Sequence, residues 1–123
     1  VTALHYVPTL DNPENAAFVA AFKEKTGRIP SEYAVQGYDS ARALVEAVKA
    51  GATDRQGLAA ALPKVAFTGP RGELRIDPAT NNIIQPIHVY ETVAGAEGLT
   101  QKVIATLPAE ADPANGCEMT ALN

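Results

Sequence analysis

The chain has 123 residues, of which 46% are hydrophobic and 20% are charged, a balance typical of a folded globular domain and too apolar for a disordered segment. The formal net charge is -4 and the basic residues are scattered, which argues against a nucleic-acid partner. No stretch approaches the roughly 18 consecutive apolar residues that a membrane-spanning helix needs. These properties predict a compact domain with a hydrophobic core.

The first predicted element is a helix of about four turns that follows Asn12. Asn12 is a good N-cap and Pro13 fits the first helical position. Gly27 is suited to a left-handed C-cap. Phe18 and Phe22 lie one turn apart on the same face, so we expect them to pack in the core.

Two further helices are predicted before residue 65. Ser31 is expected to cap the second helix, which ends near Gly51. The apolar stripe of this helix consists of Ala41, Leu44, Val45 and Val48. Asp54 is expected to cap a shorter third helix that Pro63 ends. Its inward residues are predicted to be Leu58, Ala59 and Leu62.

After residue 65, the residue types favour strands and turns rather than helices. The turn residues 69–72 separate two short apolar segments, 65–67 and 74–76, and predict a hairpin. A second turn is predicted at residues 77–82, and the alternating segment 83–93 predicts the longest strand. Val103, Ile104 and Leu107 form a last apolar patch before a predicted loop. Three helices, a hairpin and one strand make an awkward self-contained α/β unit, so the chain is predicted to be part of a larger protein.

Few features of the sequence favour a catalytic or metal-binding role. His5 and His88 are far apart in sequence, and no Ser, Cys or carboxylate lies beside them at the spacing of a triad or a metal site. The turn at 69–72 lacks the Lys-Ser/Thr of a phosphate-binding loop, so we interpret Arg71 as a charge at a rim. We therefore expect no metal, no cofactor and no enzymatic activity.

Cys117 is the one cysteine of the sequence and cannot form an internal disulfide. It is either a lone thiol on a C-terminal tail or the partner of a cysteine in a portion of the protein outside this sequence. The sequence leaves both interpretations open.

Several short motifs occur in an order that resembles the type I periplasmic binding proteins. They are Asp-Asn-Pro-Glu-Asn at 11–15, Phe at 18 and 22, Lys-Thr-Gly at 25–27, Pro-Ser at 30–31, Gly-Tyr-Asp at 37–39, Phe-Thr-Gly-Pro-Arg-Gly at 67–72, Ile-Asp at 76–77, Asp-Pro at 112–113 and Gly-Cys at 116–117. More narrowly, the chain resembles the receptors for branched-chain amino acids and aromatic acids that feed ABC importers. The resemblance covers nearly all of this chain but only about the last third of a family member.

The resemblance implies an α/β fold, in which this chain is the C-terminal segment of a protein with two lobes. Three crossing strands join the lobes, which close on a solute. Residues 9–85 would belong to the N-terminal lobe, and residues 86–123 would form a crossing strand and the tail of the other lobe. Tyr6, Pro8 and Pro86 would lie at the hinge crossings. The central sheets of both lobes would be missing, so the isolated chain is expected to expose apolar surface and to self-associate.

The resemblance also implies one solute contact in this chain, Tyr33, because the family places an aromatic ring at the start of the helix that begins after Ser31. An aromatic face suits an aliphatic or aromatic solute, and the hydroxyl can bind a polar group. The alternative is that Tyr33 only packs under a loop. Tyr38 is expected to pack between helices, and Asp39 is expected to lie on the surface.

The function implied by the resemblance is that of a periplasmic, non-enzymatic solute-binding protein. The intact protein would bind a small carboxylate-bearing solute, either a branched-chain amino acid or an aromatic acid, and deliver it to a membrane ABC permease. Three alternatives stay open: a sensory receptor of the same fold, a lobe of an enzyme, and a fragment that acts only in assembly.

Overall fold

The computed structural model describes residues 1–96, 98–113 and 116. Helices and strands follow one another in the order β1 (Thr2–Leu4), α1 (Pro13–Thr26), α2 (Glu32–Lys49), α3 (Arg55–Ala61), a 3-10 turn (Leu62–Lys64), β2 (Ala66–Gly69), β3 (Gly72–Ile76), β4 (Ile83–Ile84), β5 (Ile87–Gly95) and β6 (Gly98–Leu107). Among the described residues, no helix is both long and apolar enough to cross a membrane.

The strands form two separate antiparallel sheets. The first sheet has the strand order β1-β5-β6, and the second has the order β2-β3-β4. All three helices lie in the chain between β1 and the second sheet. We call the three helices together with the second sheet the helical part. The chain passes between the first sheet and the helical part twice, through residues 5–12 and through residues 85–86. We call these segments the first and second passages.

Helix α1 begins and ends as predicted. The Asn12 side chain accepts a hydrogen bond from the backbone N–H of Asn15 at 2.7 Å. Gly27 adopts a left-handed conformation with φ of 69°, and its N–H donates to the carbonyl of Lys23. Phe18 is buried and its ring centroid lies 5.9 Å from that of Phe22, so the predicted aromatic contact is confirmed.

The hydrophobic core lies where α1, α2 and the first passage meet. Tyr6, Phe18 and Val35 are its buried members. Partly buried residues packed against them are Leu10, Phe22 and Ala34. The core is therefore small, and the first passage contributes as many residues to it as each of the two helices does.

Helix α2 has the predicted N-cap, because Ser31 Oγ accepts from the backbone N–H of Ala34 at 3.4 Å. Its buried face, however, is not the predicted stripe: the buried residues are Val35, Asp39 and Ala47. Leu44, Val45 and Val48 are 46%, 50% and 57% exposed. At 100° per residue these two sets lie on roughly opposite sides of the helix. The apolar stripe therefore faces away from the rest of the chain.

Helix α3 begins after Asp54, which accepts from the N–H of Gly57 at 2.7 Å as an N-cap. Leu58 and Leu62 are half-buried, whereas Ala59 is exposed, so the predicted inward face is only partly correct. The helix ends at Ala61, and Pro63 lies in the 3-10 turn that follows.

The predicted hairpin is confirmed, and the strand predicted over 83–93 is divided. Phe67 pairs with Leu74 in the hairpin. Residues 85–86 interrupt the later segment, so that β4 joins the second sheet and β5 the first. Pro86 has no N–H to donate to a ladder, which explains the break. The longest strand is instead β6, with ten residues, which contains the last apolar patch.

Candidate functional site

Tyr33 lies in the first turn of α2 and its side chain is 74% exposed. The Ser31 cap fixes where this turn begins, and Val35, on the buried face, fixes the rotation of the helix. Tyr33 is therefore presented on the surface at a capped helix end. An exposed ring is free to contact a solute or another part of the intact protein, so its predicted role in binding stays a prediction.

Tyr6 and Pro8, the predicted hinge residues of the first passage, are tied to α1 through Asn15. The buried Tyr6 hydroxyl donates to Asn15 Oδ1 at 3.0 Å. Asn15 Nδ2 donates to the carbonyls of Pro8 and Leu10 at 3.0 and 2.8 Å. Burial, followed by the charge of Asp39, raises the pKa of Tyr6 above its usual range, which keeps the hydroxyl protonated as a donor.

A buried ion pair connects α2 to the turn at 69–72. Asp39 and Arg71 are 2% and 5% exposed, and Arg71 Nε donates to Asp39 Oδ2 at 2.6 Å. Arg71 Nη1 also donates to Gln85 Oε1 at 2.6 Å. Burial raises the pKa of the Asp39 carboxyl, and the adjacent guanidinium of Arg71 opposes that rise.

The ion pair corrects two predictions made from the sequence. Asp39 is not a surface residue and Arg71 is not a rim charge, because the hairpin turn docks against α2 and removes both from solvent. The two residues are 32 positions apart, and no short-range spacing links them. Tyr38 does pack between helices as predicted, with its ring centroid 4.8 Å from that of Phe18.

The two histidines lie apart and each has a polar neighbour. His5 Nε2 is 3.2 Å from Gln36 Nε2, and His88 Nδ1 is 3.0 Å from Thr106 Oγ1. Burial lowers the pKa of both side chains. In the ranges that the structure describes, no group of three or more His, Cys, Asp or Glu side chains is arranged to hold a metal ion. Cys117 lies outside the described residues.

A groove of about 680 Å³ separates the first sheet from the helical part. One wall is the first passage, including Tyr6 and Pro8, and the opposite walls are residues 29–32 and the β5–β6 hairpin end. Tyr33 directly follows residues 29–32 in the sequence, but it does not line the groove. A smaller cavity of about 140 Å³ lies between α2 and the second sheet, next to Asp39 and Arg71.

Pro86, the predicted hinge residue of the second passage, lies half-buried beside the 69–72 turn. Gly72 has a φ of +99°, and a Cβ at that position would lie 3.7 Å from Pro86 Cγ. The turn at 69–72 therefore adjoins both Gln85 and Pro86, which sequence spacing did not indicate.

The family profile described as "Periplasmic binding protein" matches residues 1–97. With the two small sheets, the three helices and this match, the chain belongs to the periplasmic binding protein family, and the predicted family and fold class are confirmed. This is a family of solute-binding proteins rather than of enzymes.

Two solved structures with bound aromatic acids are similar to this chain. A solute-binding protein of an ABC transporter from Rhodopseudomonas palustris BisB5, in complex with 3,4-dihydroxybenzoic acid, is 34% identical with a TM-score of 0.85, covering 90% of this chain and 31% of that one. One from R. palustris, in complex with benzoate, is 36% identical with a TM-score of 0.80, covering 95% and 32%.

A curated relative points to the same family. The Leu/Ile/Val-binding protein homolog 6 of Brucella abortus (strain 2308) is 29% identical over 119 residues, which cover 92% of this chain and 30% of the relative. The chain thus spans about 30% of the length of the relatives that it matches.

Proposed function

We propose that this chain is part of an extracytoplasmic solute-binding protein that serves an ABC importer, and that the intact protein binds a small carboxylate-bearing solute between two lobes. The observation that carries the proposal is the similarity to two aromatic-acid complexes at 34% and 36% identity over at least 90% of this chain. We infer an aromatic carboxylate as the first candidate solute and a branched-chain amino acid as the second.

The arrangement of the chain supports a division between two lobes. Residues 9–85 contain the three helices and the second sheet, and residues 86–123 contain β5 and β6 of the first sheet. Tyr6, Pro8 and Pro86 lie in or beside the two passages that connect these parts. We propose that the passages are hinge crossings and that the groove between the parts opens into the solute cleft of the intact protein.

We propose Tyr33 as the solute contact that this chain provides. Its position at a fixed helix end and its exposure of 74% support this role. The ring offers a flat apolar face at a small cost in conformational entropy, and the hydroxyl offers a hydrogen bond. Both suit a benzoate-like solute.

A thermal-shift screen of the full-length protein tests the proposed function. The panel contains benzoate, hydroxybenzoates, branched-chain amino acids and, as a third class, small amides. A solute that binds only the folded state stabilises it by about 2.7 kcal/mol at a concentration 100 times its Kd. We expect a concentration-dependent rise in Tm with aromatic carboxylates. A folded protein whose Tm responds to none of the panel contradicts the proposal and favours the sensory or assembly alternatives.

A further inference from the structure

The turn formed by residues 69–72 meets both passages between the two parts of the chain. On one side, Asn12 Nδ2, at the end of the first passage, donates to the carbonyl of Pro70 at 3.1 Å. On the other side, Arg71 donates to Gln85 in the second passage at 2.6 Å. One hairpin turn therefore contacts segments that lie more than 70 positions apart in the sequence.

The turn is itself anchored on the helical part. The ion pair between Arg71 and Asp39 is almost fully removed from solvent, and Asp39 lies on the buried face of α2. A Cβ added to Gly69 would lie only 2.8 Å from Asp39 Oδ1 and 3.2 Å from Phe67 Cε2, so the backbone approaches the carboxylate as closely as a glycine allows. The turn cannot move without disturbing this contact.

Arginine is suited to this position because its guanidinium is planar and carries five donors in a fixed fork. Nε of Arg71 donates to Asp39 on α2, and Nη1 donates to Gln85 in the second passage. One side chain therefore sets the distance between Asp39 and Gln85. Hydrogen bonds from a charged donor are shorter and stronger than those between neutral groups. The link from α2 to the second passage is therefore stiff.

We propose that the 69–72 turn is a clasp that fixes the direction of both passages, so that Arg71, Gln85 and Asn12 act as positioning residues that set the resting angle between the two lobes. The inference rests on the proposed function, because an angle between lobes affects binding only if the solute lies between them. A protein that is held in a binding-competent arrangement pays less to bind, so loosening the clasp weakens the apparent affinity.

The test uses the full-length protein with Gln85→Ala, which removes the acceptor of Arg71 in the second passage and leaves the buried ion pair intact. Gln85→Glu keeps an acceptor there and serves as the rescue variant. Gln56→Ala is the matched control, since Gln56 is exposed on α3 and belongs neither to the turn nor to either passage. Small-angle X-ray scattering of each protein is recorded without solute and with saturating solute, and Kd is measured by calorimetry for the solute that the thermal-shift screen identifies.

We expect the solute-free Gln85→Ala protein to differ from wild type in radius of gyration, the saturated proteins to coincide, and Kd to rise by at least about threefold. Gln85→Glu and Gln56→Ala should match wild type in both measurements. A merely local structural role lowers Tm without changing the solute-free scattering curve. A Gln85→Ala curve that superimposes on wild type without solute therefore overturns the clasp, whatever its Tm.

The scattering measurement separates the clasp from the proposed function. If wild-type protein binds none of the panel, the proposed function fails and the Kd comparison is lost. The solute-free scattering curves of the same variants still decide whether the turn sets the angle between the two parts.

Discussion

Tyr33 and Tyr38 lie five positions apart on α2, yet their surroundings predict opposite effects of removing the ring. Tyr33→Ala in the full-length protein should weaken solute binding at least a few-fold and leave Tm nearly unchanged, because the ring is 74% exposed and supports little of the core. Calorimetric titration and a thermal melt measure the two effects. Tyr33→Phe separates the ring from the hydroxyl, since only the hydroxyl is lost.

Tyr38→Ala is the matched control for this prediction. Its ring packs against Phe18, so the substitution should destabilise the protein by about 1–2 kcal/mol while the affinity of the remaining folded protein stays the same. Unaltered affinity in Tyr33→Ala would remove Tyr33 from the binding site.

His88 makes stability depend on pH at the junction of β5 and β6. Burial lowers the pKa of His88 below its ordinary value of 6.5, so the unfolded chain binds a proton more readily than the folded chain. This contribution to stability is fully present above pH 6.5 and is lost as the pH falls through 6.5 towards the lower folded-state pKa. Wild-type Tm should therefore fall more steeply between pH 7 and pH 5 than the Tm of His88→Gln, which does not titrate.

Comparing the slope of Tm against pH in wild type with that in His88→Gln separates the contribution of His88 from those of the other titrating groups. Burial also lowers the pKa of His5, so some pH dependence should remain in His88→Gln. Equal slopes in thermal melts of the two full-length proteins would show that His88 titrates alike in the folded and unfolded states.

Asn12 has two structural roles at the start of α1. Its Oδ1 caps the helix and its Nδ2 binds the carbonyl of Pro70. Asn12→Ala should lose about 1 kcal/mol for the cap and a further contribution for the second bond. Asn12→Ser keeps a good cap but is too short to reach Pro70, so chemical denaturation should place its stability between those of wild type and Asn12→Ala. Equal losses in the two variants would mean that the cap contributes nothing.

Local signals predicted the helices well because caps act within four residues. Asn12, Ser31 and Asp54 each bind a backbone N–H three positions ahead, and such short-range contacts are visible in the sequence. The 69–72 turn was also found from its residue types, which carry their own backbone preferences.

Contacts between distant residues account for what sequence reasoning missed. The pairing of Asp39 with Arg71 depends on the docking of a hairpin, which leaves no pattern in either segment. The sequence predicts only an apolar patch where β6 lies, because the pairing of β6 with β5 becomes apparent only when β5 is separated from β4 at residues 85–86. The apolar stripe of α2 predicts the wrong buried face, because the most apolar side of a helix need not face the rest of this chain.

The accessible surface of the chain is large for its mass. It measures 8378 Å² for 12.9 kDa, whereas a compact monomer of this mass is expected to expose roughly 6300 Å². Residues 108–113 are exposed and have no regular structure, and they contribute to the difference. Exposed large hydrophobic residues contribute as well, and three of them, Leu44, Val45 and Val48, form the stripe on α2.

The stripe predicts that the isolated 123-residue chain associates with itself. The apolar side chains of the stripe are exposed to water, and burying such surface between two copies yields about 25 cal/mol per Å². We expect a dimer or larger species by light scattering coupled to size-exclusion chromatography. Leu44→Glu with Val48→Glu should shift the chain towards monomer, because two carboxylates on the stripe cannot be buried without a large desolvation cost.

A matched control distinguishes loss of the apolar stripe from added negative charge. Gln56→Glu with Ala59→Glu places two carboxylates on exposed positions of α3, a different helix from the one that carries the stripe. This variant should associate as wild type does, with helix content checked by circular dichroism in all three proteins. A folded wild-type chain that scatters as a 12.9 kDa monomer at every concentration would show that the stripe is tolerated in water and that its exposure does not drive association.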